Sequence, residues 1–113
     1  MQRRFRLTRS TDFKRVRNYG KSFAHPLVVL IILVADEPGL QVGVTAGRSL
    51  GSAVHRNRAK RLLREATRPL IPALSPGYDL MLIARPSLLG ADFTEIQAAI
   101  RSLFTRAGLY SDS

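Results

Sequence analysis

Three segments of the chain have the apolar pattern that is typical of β-strands. Residues 27–35 are continuously apolar and rich in Val, Ile and Leu, which predicts a strand that is buried on both faces. Leu40–Ala46 alternates in character after the turn residues 36–39, so it is predicted to pair with the first strand in a hairpin. Tyr78–Ala84 is predicted to form a third strand, which Pro86 closes.

Two helices are predicted in the basic parts of the chain. Residues 10–17 begin with cap-type residues and place Phe13 and Val16 three positions apart, a helical spacing, and a glycine follows at position 20. A longer helix is predicted to begin after Ser52, a suitable N-cap residue, and to run to about Arg68, where a proline stops it.

A third helix is predicted near the C-terminus. Asp92 and Glu95 have the spacing of a capping box. Apolar residues then recur at helical spacing: Phe93, Ile96, Ile100, Leu103, Phe104 and Ala107. Because no repeat or interdomain linker interrupts the pattern, residues 1–113 are predicted to form a single α+β domain with the order α-β-β-α-β-α, in which residues 1–9 are a basic tail that could be flexible.

The positive charge of the chain is concentrated in two blocks. The net charge is +10, and residues 3–17 and 48–68 each contribute +6, whereas the rest of the chain is slightly acidic. An excess of this size disfavours a compact state unless a polyanion offsets it. Nucleic acid is the first candidate for that polyanion, and an anionic membrane surface is the second.

One face of the predicted second helix is almost entirely cationic. Six residues share this face when successive positions are placed about 100° apart: Arg56, Asn57, Lys60, Arg61, Arg64 and Arg68. Like charges four residues apart destabilise an isolated helix, whereas arginine forks suit phosphate groups and an Asn side chain suits a sugar hydroxyl or base edge. The pattern therefore favours nucleic-acid binding over its two alternatives, a solvated charged face and a membrane surface.

Several other functions have little support in the sequence. The chain contains no Cys, so disulfides and thiolate chemistry are excluded. The longest apolar run is too short to span a bilayer and no secretory signal pattern is present, which predicts a cytoplasmic protein. His25 and His55 are isolated, and no carboxylate cluster suggests a two-metal nuclease.

Residues 56–66 resemble the Arg-Asn-Arg box of the bacterial ribonuclease P protein subunit. The matching positions are Arg56, Asn57, Arg58, Lys60, Arg61, Arg64, Glu65 and Ala66. Further segments resemble the same family in the same order along nearly the whole chain: residues 6–16, 20–22, 42–45, 76–79 and 83–86. The joint order of these segments is much more specific than any one of them.

The resemblance implies the fold α-β-β-β-α-β-α, with an additional short strand near residues 21–24. In this fold a four-stranded sheet, similar to that of a ribosomal-protein domain, contains an unusual left-handed βαβ crossover. The implied function is that of a subunit of a ribonucleoprotein that removes the 5′ leader from precursor tRNA. The RNA subunit would catalyse hydrolysis with bound Mg²⁺, and the protein would supply no catalytic residue.

The implied partners are the catalytic RNA, in a 1:1 complex with one protein monomer, and precursor tRNA. Two sets of residues would bind these two RNA molecules. The set that binds the RNA subunit comprises Arg56, Asn57, Arg58, Lys60, Arg61, Arg64 and Arg68. The cleft for the single-stranded leader comprises Phe13, Arg17, Val29, Ile31, Thr45 and Arg48. No metal ligand is assigned to the protein itself.

The leader cleft departs from the family pattern at position 17. Arg17 stands where a second Phe is frequent, so leader binding is expected to depend less on stacking and more on charge. Without the resemblance, Phe13, Val29 and Ile31 are more typical of a hydrophobic core. Two alternatives to the implied function are a non-enzymatic RNA-binding module of ribosomal-protein type and a self-sufficient protein nuclease.

Overall fold

Four strands form one mixed β-sheet in the order β1-β2-β4-β3. The structure is a computed structural model that describes residues 16, 18–35 and 40–110. The strands are β1, Lys21–Ala24; β2, Val28–Val34; β3, Leu40–Ala46; and β4, Tyr78–Ala84. The short first strand that the family resemblance implied is therefore confirmed, as are the three strands predicted from the apolar pattern.

The predicted hairpin between β2 and β3 is wrong, because β4 lies between these two strands. β4 pairs antiparallel with β2 and parallel with β3 along its whole length. The apolar strands β2 and β4 are both central, and each forms hydrogen bonds with neighbours on both sides, whereas a two-stranded hairpin would leave an apolar edge exposed. The turn predicted at residues 36–39 lies outside the described residues.

Two helices pack on the same face of the sheet. Helix α1, Ala53–Thr67, connects the parallel strands β3 and β4, and helix α2, Phe93–Arg106, follows β4. Buried side chains of both helices and of alternate strand positions form the main hydrophobic core. These elements confirm the α+β class, and the left-handed sense of the crossover stays a prediction.

Both helices begin at the predicted caps. The side chain of Ser52 accepts a hydrogen bond from the backbone N–H of His55 at 3.4 Å. Asp92 accepts one from Glu95 at 2.8 Å, and the Glu95 side chain accepts the N–H of Asp92, which completes the capping box. These bonds satisfy N–H groups that have no partner within the first turn of a helix.

The opposite face of the sheet is only partly covered. Val16, which is helical in the structure, packs with Ile31 and Met81 in a second, smaller cluster. Val29 and Leu33 lie on the same face and are half-buried, so the prediction that β2 is buried on both faces is wrong for part of the strand. The remainder of the helix predicted at residues 10–17 lies outside the described residues.

A glycine allows the chain to pass closely over this smaller cluster. A Cβ atom on Gly20 would overlap Cγ2 of Ile31 and the carbonyl oxygen of Val16, and it would lie 2.8 Å from the carbonyl oxygen of Ile32. Because two of these atoms belong to the backbone, they cannot move aside as a flexible side chain could. The chain therefore requires glycine at this position.

Gly20→Ala is expected to reduce the free energy of unfolding by about 2 kcal/mol, a typical cost of overpacking. Urea denaturation of the variant and the wild type measures this difference. Gly90→Ala is a suitable control, because a Cβ atom at position 90 meets no atom within 4 Å. Equal losses in the two variants would contradict the steric explanation.

Candidate nucleic-acid interface

Helix α1 fully buries only a narrow arc of its circumference. Its buried residues are Ala59, Leu63, Ala66 and Thr67. The polar Thr67 is tolerated in this arc because its hydroxyl donates a 2.6 Å hydrogen bond to the carbonyl oxygen of Leu63. The small alanines bring the helix close to the sheet and to α2, where Gln97 donates a hydrogen bond to the carbonyl oxygen of Ala66.

The six residues of the predicted cationic face fall into two groups. Asn57, Arg61 and Arg68 are exposed, whereas Arg56, Lys60 and Arg64 are half-buried. The helical wheel explains this division, because the half-buried cations lie within about 80° of Arg56, next to the buried arc, and the exposed residues lie further round. The prediction that the whole cationic face is offered to solvent is therefore too broad.

The half-buried cations lie along one border of α1. Ala66 contacts α2 through the hydrogen bond from Gln97. Ala66 lies at the edge of the buried arc opposite to Lys60 and Arg64, so the border formed by these cations faces away from α2. Nε of Arg56 is buried and forms no hydrogen bond within the described part of the chain. Burial of the arginine stem against the core restricts the directions in which the guanidinium can point.

Arg58 lies outside the cationic face. It is exposed, and it falls roughly 200° round the helix from Arg56, beyond Arg61. A ligand that contacts both Arg58 and Arg61 must therefore cover the middle of the exposed side of α1. The exposed polar residues of this side are Asn57, Arg58, Arg61, Glu65 and, at the C-terminal end, Arg68.

Two predicted cleft residues lie in one row across the less covered face of the sheet. The pairing register places Ala24 beside Val29, Val29 beside Ile83, and Ile83 beside Thr45. Paired residues project from the same face, and Val29, Ile83 and Thr45 are each half-buried. The row therefore forms a shallow, mainly apolar floor that is open to a ligand.

Ile31 does not belong to this open floor. Its side chain is only 6% exposed because Val16 and Met81 pack against it. The structure therefore places Ile31 in the smaller core cluster, the position expected from its apolar character without the family resemblance. Phe13 and Arg17, the two other predicted cleft residues, lie outside the described residues.

Arginines lie at the end of the sheet next to the open row. Arg48 is exposed and begins the short 3₁₀ helix Arg48–Leu50, two residues after β3 ends. Arg85 is also exposed, and its backbone is extended, with φ −98° and ψ 158°. Since it continues β4 two residues after Ile83, its side chain leaves the strand on the same face as the open row.

Ile83, Arg85 and Met81 were not among the predicted functional residues. The signal for the first two was their i, i+2 spacing within the segment 83–86, which places both on one face of a strand. Which face is open depends on the position of β4 in the sheet, and the sequence alone did not reveal that position. Met81 is buried beside Ile31 and serves the core.

Tyr110 has a perturbed pKa and lies away from both surfaces. Burial raises the pKa of the Tyr110 hydroxyl, and the positive charge of Arg101 partly opposes that rise. The Tyr110 ring packs edge-on against Phe104, with 6.4 Å between the ring centroids. This interaction belongs to the core beside α2 and not to the cationic surface.

The described part of the chain contains no group of three or more His, Asp or Glu side chains that could hold a metal ion. No helix in this part of the chain is long and apolar enough to cross a membrane.

The protein is a small, basic α+β protein, with two helices on one face of its sheet and surfaces suited to a polyanion. The family model described as Ribonuclease P matches residues 1–108. The chain therefore belongs to the ribonuclease P protein family.

Curated relatives agree with this assignment over almost the full chain. The ribonuclease P protein component of Herpetosiphon aurantiacus is 41% identical over 112 residues, which are 99% of this chain and 91% of the relative. That of Clostridioides difficile is 38% identical over 104 residues and covers 91% of each chain. The similarity therefore extends well beyond the basic helix.

Solved structures of RNase P proteins have the same fold. The protein from Thermotoga maritima superimposes with a TM-score of 0.78 at 26% identity, and the match covers 89% of this chain and 96% of that one. A structure of the Staphylococcus aureus protein gives a TM-score of 0.83 at 24% identity and covers 95% and 98% of the two chains. The fold is thus shared where most side chains differ.

Proposed function

We propose that this chain is the protein subunit of a ribonuclease P ribonucleoprotein, which removes the 5′ leader from precursor tRNA. Family membership and the exposed cationic side of α1 together carry this proposal. In it, the chemistry belongs to the RNA subunit, with Mg²⁺ bound mainly by that RNA. The protein contributes binding energy and orientation, as one monomer per RNA.

Helix α1 is proposed to bind the RNA subunit. Arg61 and Arg68 are exposed and suit direct phosphate contacts, because each guanidinium can donate two parallel hydrogen bonds to phosphate oxygens. Arg56, Lys60 and Arg64 add charge along the neighbouring border, where packing limits their motion. Arg58 extends the contact on the far side, and Asn57 supplies an amide for a sugar hydroxyl or base edge.

The open row of the sheet is proposed to hold the single-stranded 5′ leader. Val29, Ile83 and Thr45 offer apolar contact to sugars and bases, and Arg48 supplies positive charge for the phosphates at the adjacent end of the sheet. Phe13 and Arg17 are proposed to complete the cleft from the N-terminal side. An aromatic side chain that stacks on an unpaired base contributes about 1–3 kcal/mol.

This arrangement suggests how a non-catalytic protein accelerates an RNA-catalysed reaction. Two RNA molecules repel each other as they approach, and the cations of α1 and Arg48 reduce this repulsion. The leader is present in precursor tRNA and absent from the product. Contacts between the protein and the leader therefore strengthen the binding of the precursor relative to that of the product. Both effects should be greatest at low Mg²⁺, when fewer divalent ions screen the phosphates.

Cleavage of precursor tRNA by a bacterial ribonuclease P RNA at low Mg²⁺ tests the proposal. Reactions contain the RNA alone, the protein alone, or both. We expect cleavage at the mature 5′ end to require the RNA and to increase at least tenfold when the protein is added. Binding of the protein to the RNA without faster cleavage would instead indicate a non-enzymatic RNA-binding module, and cleavage by the protein alone would indicate a nuclease.

A further inference from the structure

An exposed valine lies at the N-terminal end of the exposed side of α1. The side chain of Val54 is 76% exposed, although the residue belongs to the first turn of a well-packed helix. It lies about 20° round the helix from Arg61 and about 40° from Arg58. Its nearest neighbours along the helix surface, Asn57 and Arg58, are three and four residues further on.

A single exposed apolar side chain is common and needs no special explanation. The surroundings of Val54 distinguish it, because the other residues of this side between positions 57 and 65 are polar or charged. An RNA that contacts Arg61 and Arg58 and continues towards the N-terminal end of α1 covers Val54, which lies about one turn beyond Arg58 on the same side, and removes it from water. The positive charges around the valine therefore identify the molecule that covers it as a polyanion.

The chemistry of RNA offers a suitable apolar partner at this place. In an A-form helix the minor groove is wide and shallow, and it displays ribose groups with their 2′-hydroxyls. Val54 presents two methyl groups that can pack on ribose C–H groups, and Asn57 lies one turn away, where its amide can reach a hydroxyl. Arg58 and Arg61, about one and two turns further along the helix, are placed for neighbouring phosphates.

We propose that Val54 is an apolar contact of the RNA-subunit interface, which packs on the ribose surface next to the phosphates held by Arg58 and Arg61. This inference rests on the proposed function, because it assigns a further residue to the same interface. The apolar contact of Val54 gives α1 a contribution to RNA affinity that salt does not screen. A purely electrostatic surface would bind any polyanion, whereas this contact favours RNA of the correct shape.

Two variants and one matched control test the proposal by titration with a bacterial ribonuclease P RNA over a range of salt concentrations. Val54→Thr keeps the shape and helix propensity of the side chain but places a hydroxyl in the contact. Val54→Ala favours the helix and removes both methyl groups. Val34→Thr makes the same chemical change on β2, at a side chain that is 70% exposed and distant from α1.

Both Val54 variants are expected to bind roughly fivefold to tenfold more weakly than the wild type at every salt concentration, because apolar burial is lost. The slope of log K against log salt should be unchanged, whereas Arg61→Ala should make that slope shallower by roughly 0.7 to 0.9. Val34→Thr should bind as the wild type does. Unchanged thermal unfolding of the Val54 variants would show that the loss arises at the interface.

The possible failures can be told apart. Wild-type affinity in both Val54 variants, or a loss of the same size in Val34→Thr, would overturn the role of Val54 and leave the proposed function standing. A Val54 variant with an altered salt slope would also overturn it, because the contact would then be electrostatic. If the wild-type protein did not bind the RNA, the proposed function itself would fail.

Discussion

The double variant Arg61→Ala/Arg68→Ala is expected to bind a bacterial ribonuclease P RNA about a hundredfold more weakly than the wild type at moderate salt. Each hydrogen bond to a charged group contributes roughly 1.5–3 kcal/mol. Because both arginines are exposed to solvent, we expect the lower value, which corresponds to about a tenfold change in affinity per arginine. Both residues are exposed. Their removal should therefore change binding without changing the fold.

Titration at several salt concentrations measures both the loss and its origin. If the two arginines each contact a phosphate, the slope of log K against log salt should become shallower by roughly 1.4 to 1.8. Arg101→Ala/Arg106→Ala is the control for net charge, because it removes the same charge from exposed positions of α2. Since Arg106 donates a 2.8 Å hydrogen bond to the carbonyl oxygen of Ala24, thermal unfolding of this variant is compared with that of the wild type. Equal weakening in the two variants would show that net charge, and not the surface of α1, determines affinity.

Phe104→Ala is expected to reduce the free energy of unfolding by about 3–5 kcal/mol. Phe104 is fully buried in the main core, where it packs against Tyr110. Domains of this size are typically stable by only 5–15 kcal/mol. The variant should therefore lose a large part of its stability, and urea denaturation at moderate salt measures the change.

The same helix provides a control of the same residue type. Phe93 begins α2 and is 43% exposed, so Phe93→Ala leaves a much smaller cavity. We expect it to reduce the free energy of unfolding by less than about 1.5 kcal/mol. If both variants lost the same stability, Phe104 would not be the anchor that its burial indicates.

The local elements were predictable because their signals lie within a few residues of one another. Ser52 and Asp92 were identified as caps from the residues beside them, and the structure contains both caps. Strand pairing was less predictable, because the turn residues that follow β2 in the sequence favour a hairpin, whereas β2 and β3 are not paired in the structure. The partner of β2 is β4, about fifty residues away along the chain, and no local pattern specifies such a choice.

The candidate site was predictable as a type of surface but not in its boundaries. The helical wheel gave the cationic face of α1, but it could not show that Arg56, Lys60 and Arg64 lie against the core. Single residues also departed from their usual environments. Thr67 is polar and buried, whereas Val54 is apolar and exposed. In both cases the helical position of the residue, and not its polarity, determines its environment.

The central position of β4 has a consequence for the order in which the protein can fold. During synthesis β2 and β3 leave the ribosome first, yet neither can form its pairing with β4 until residues 78–84 have followed. The sheet therefore depends on contacts between distant parts of the chain, which form slowly. Before then α1 has no sheet on which to bury its alanines and leucine. A chain that stopped before Tyr78 would contain every cation of α1 and no sheet to hold the helix in place.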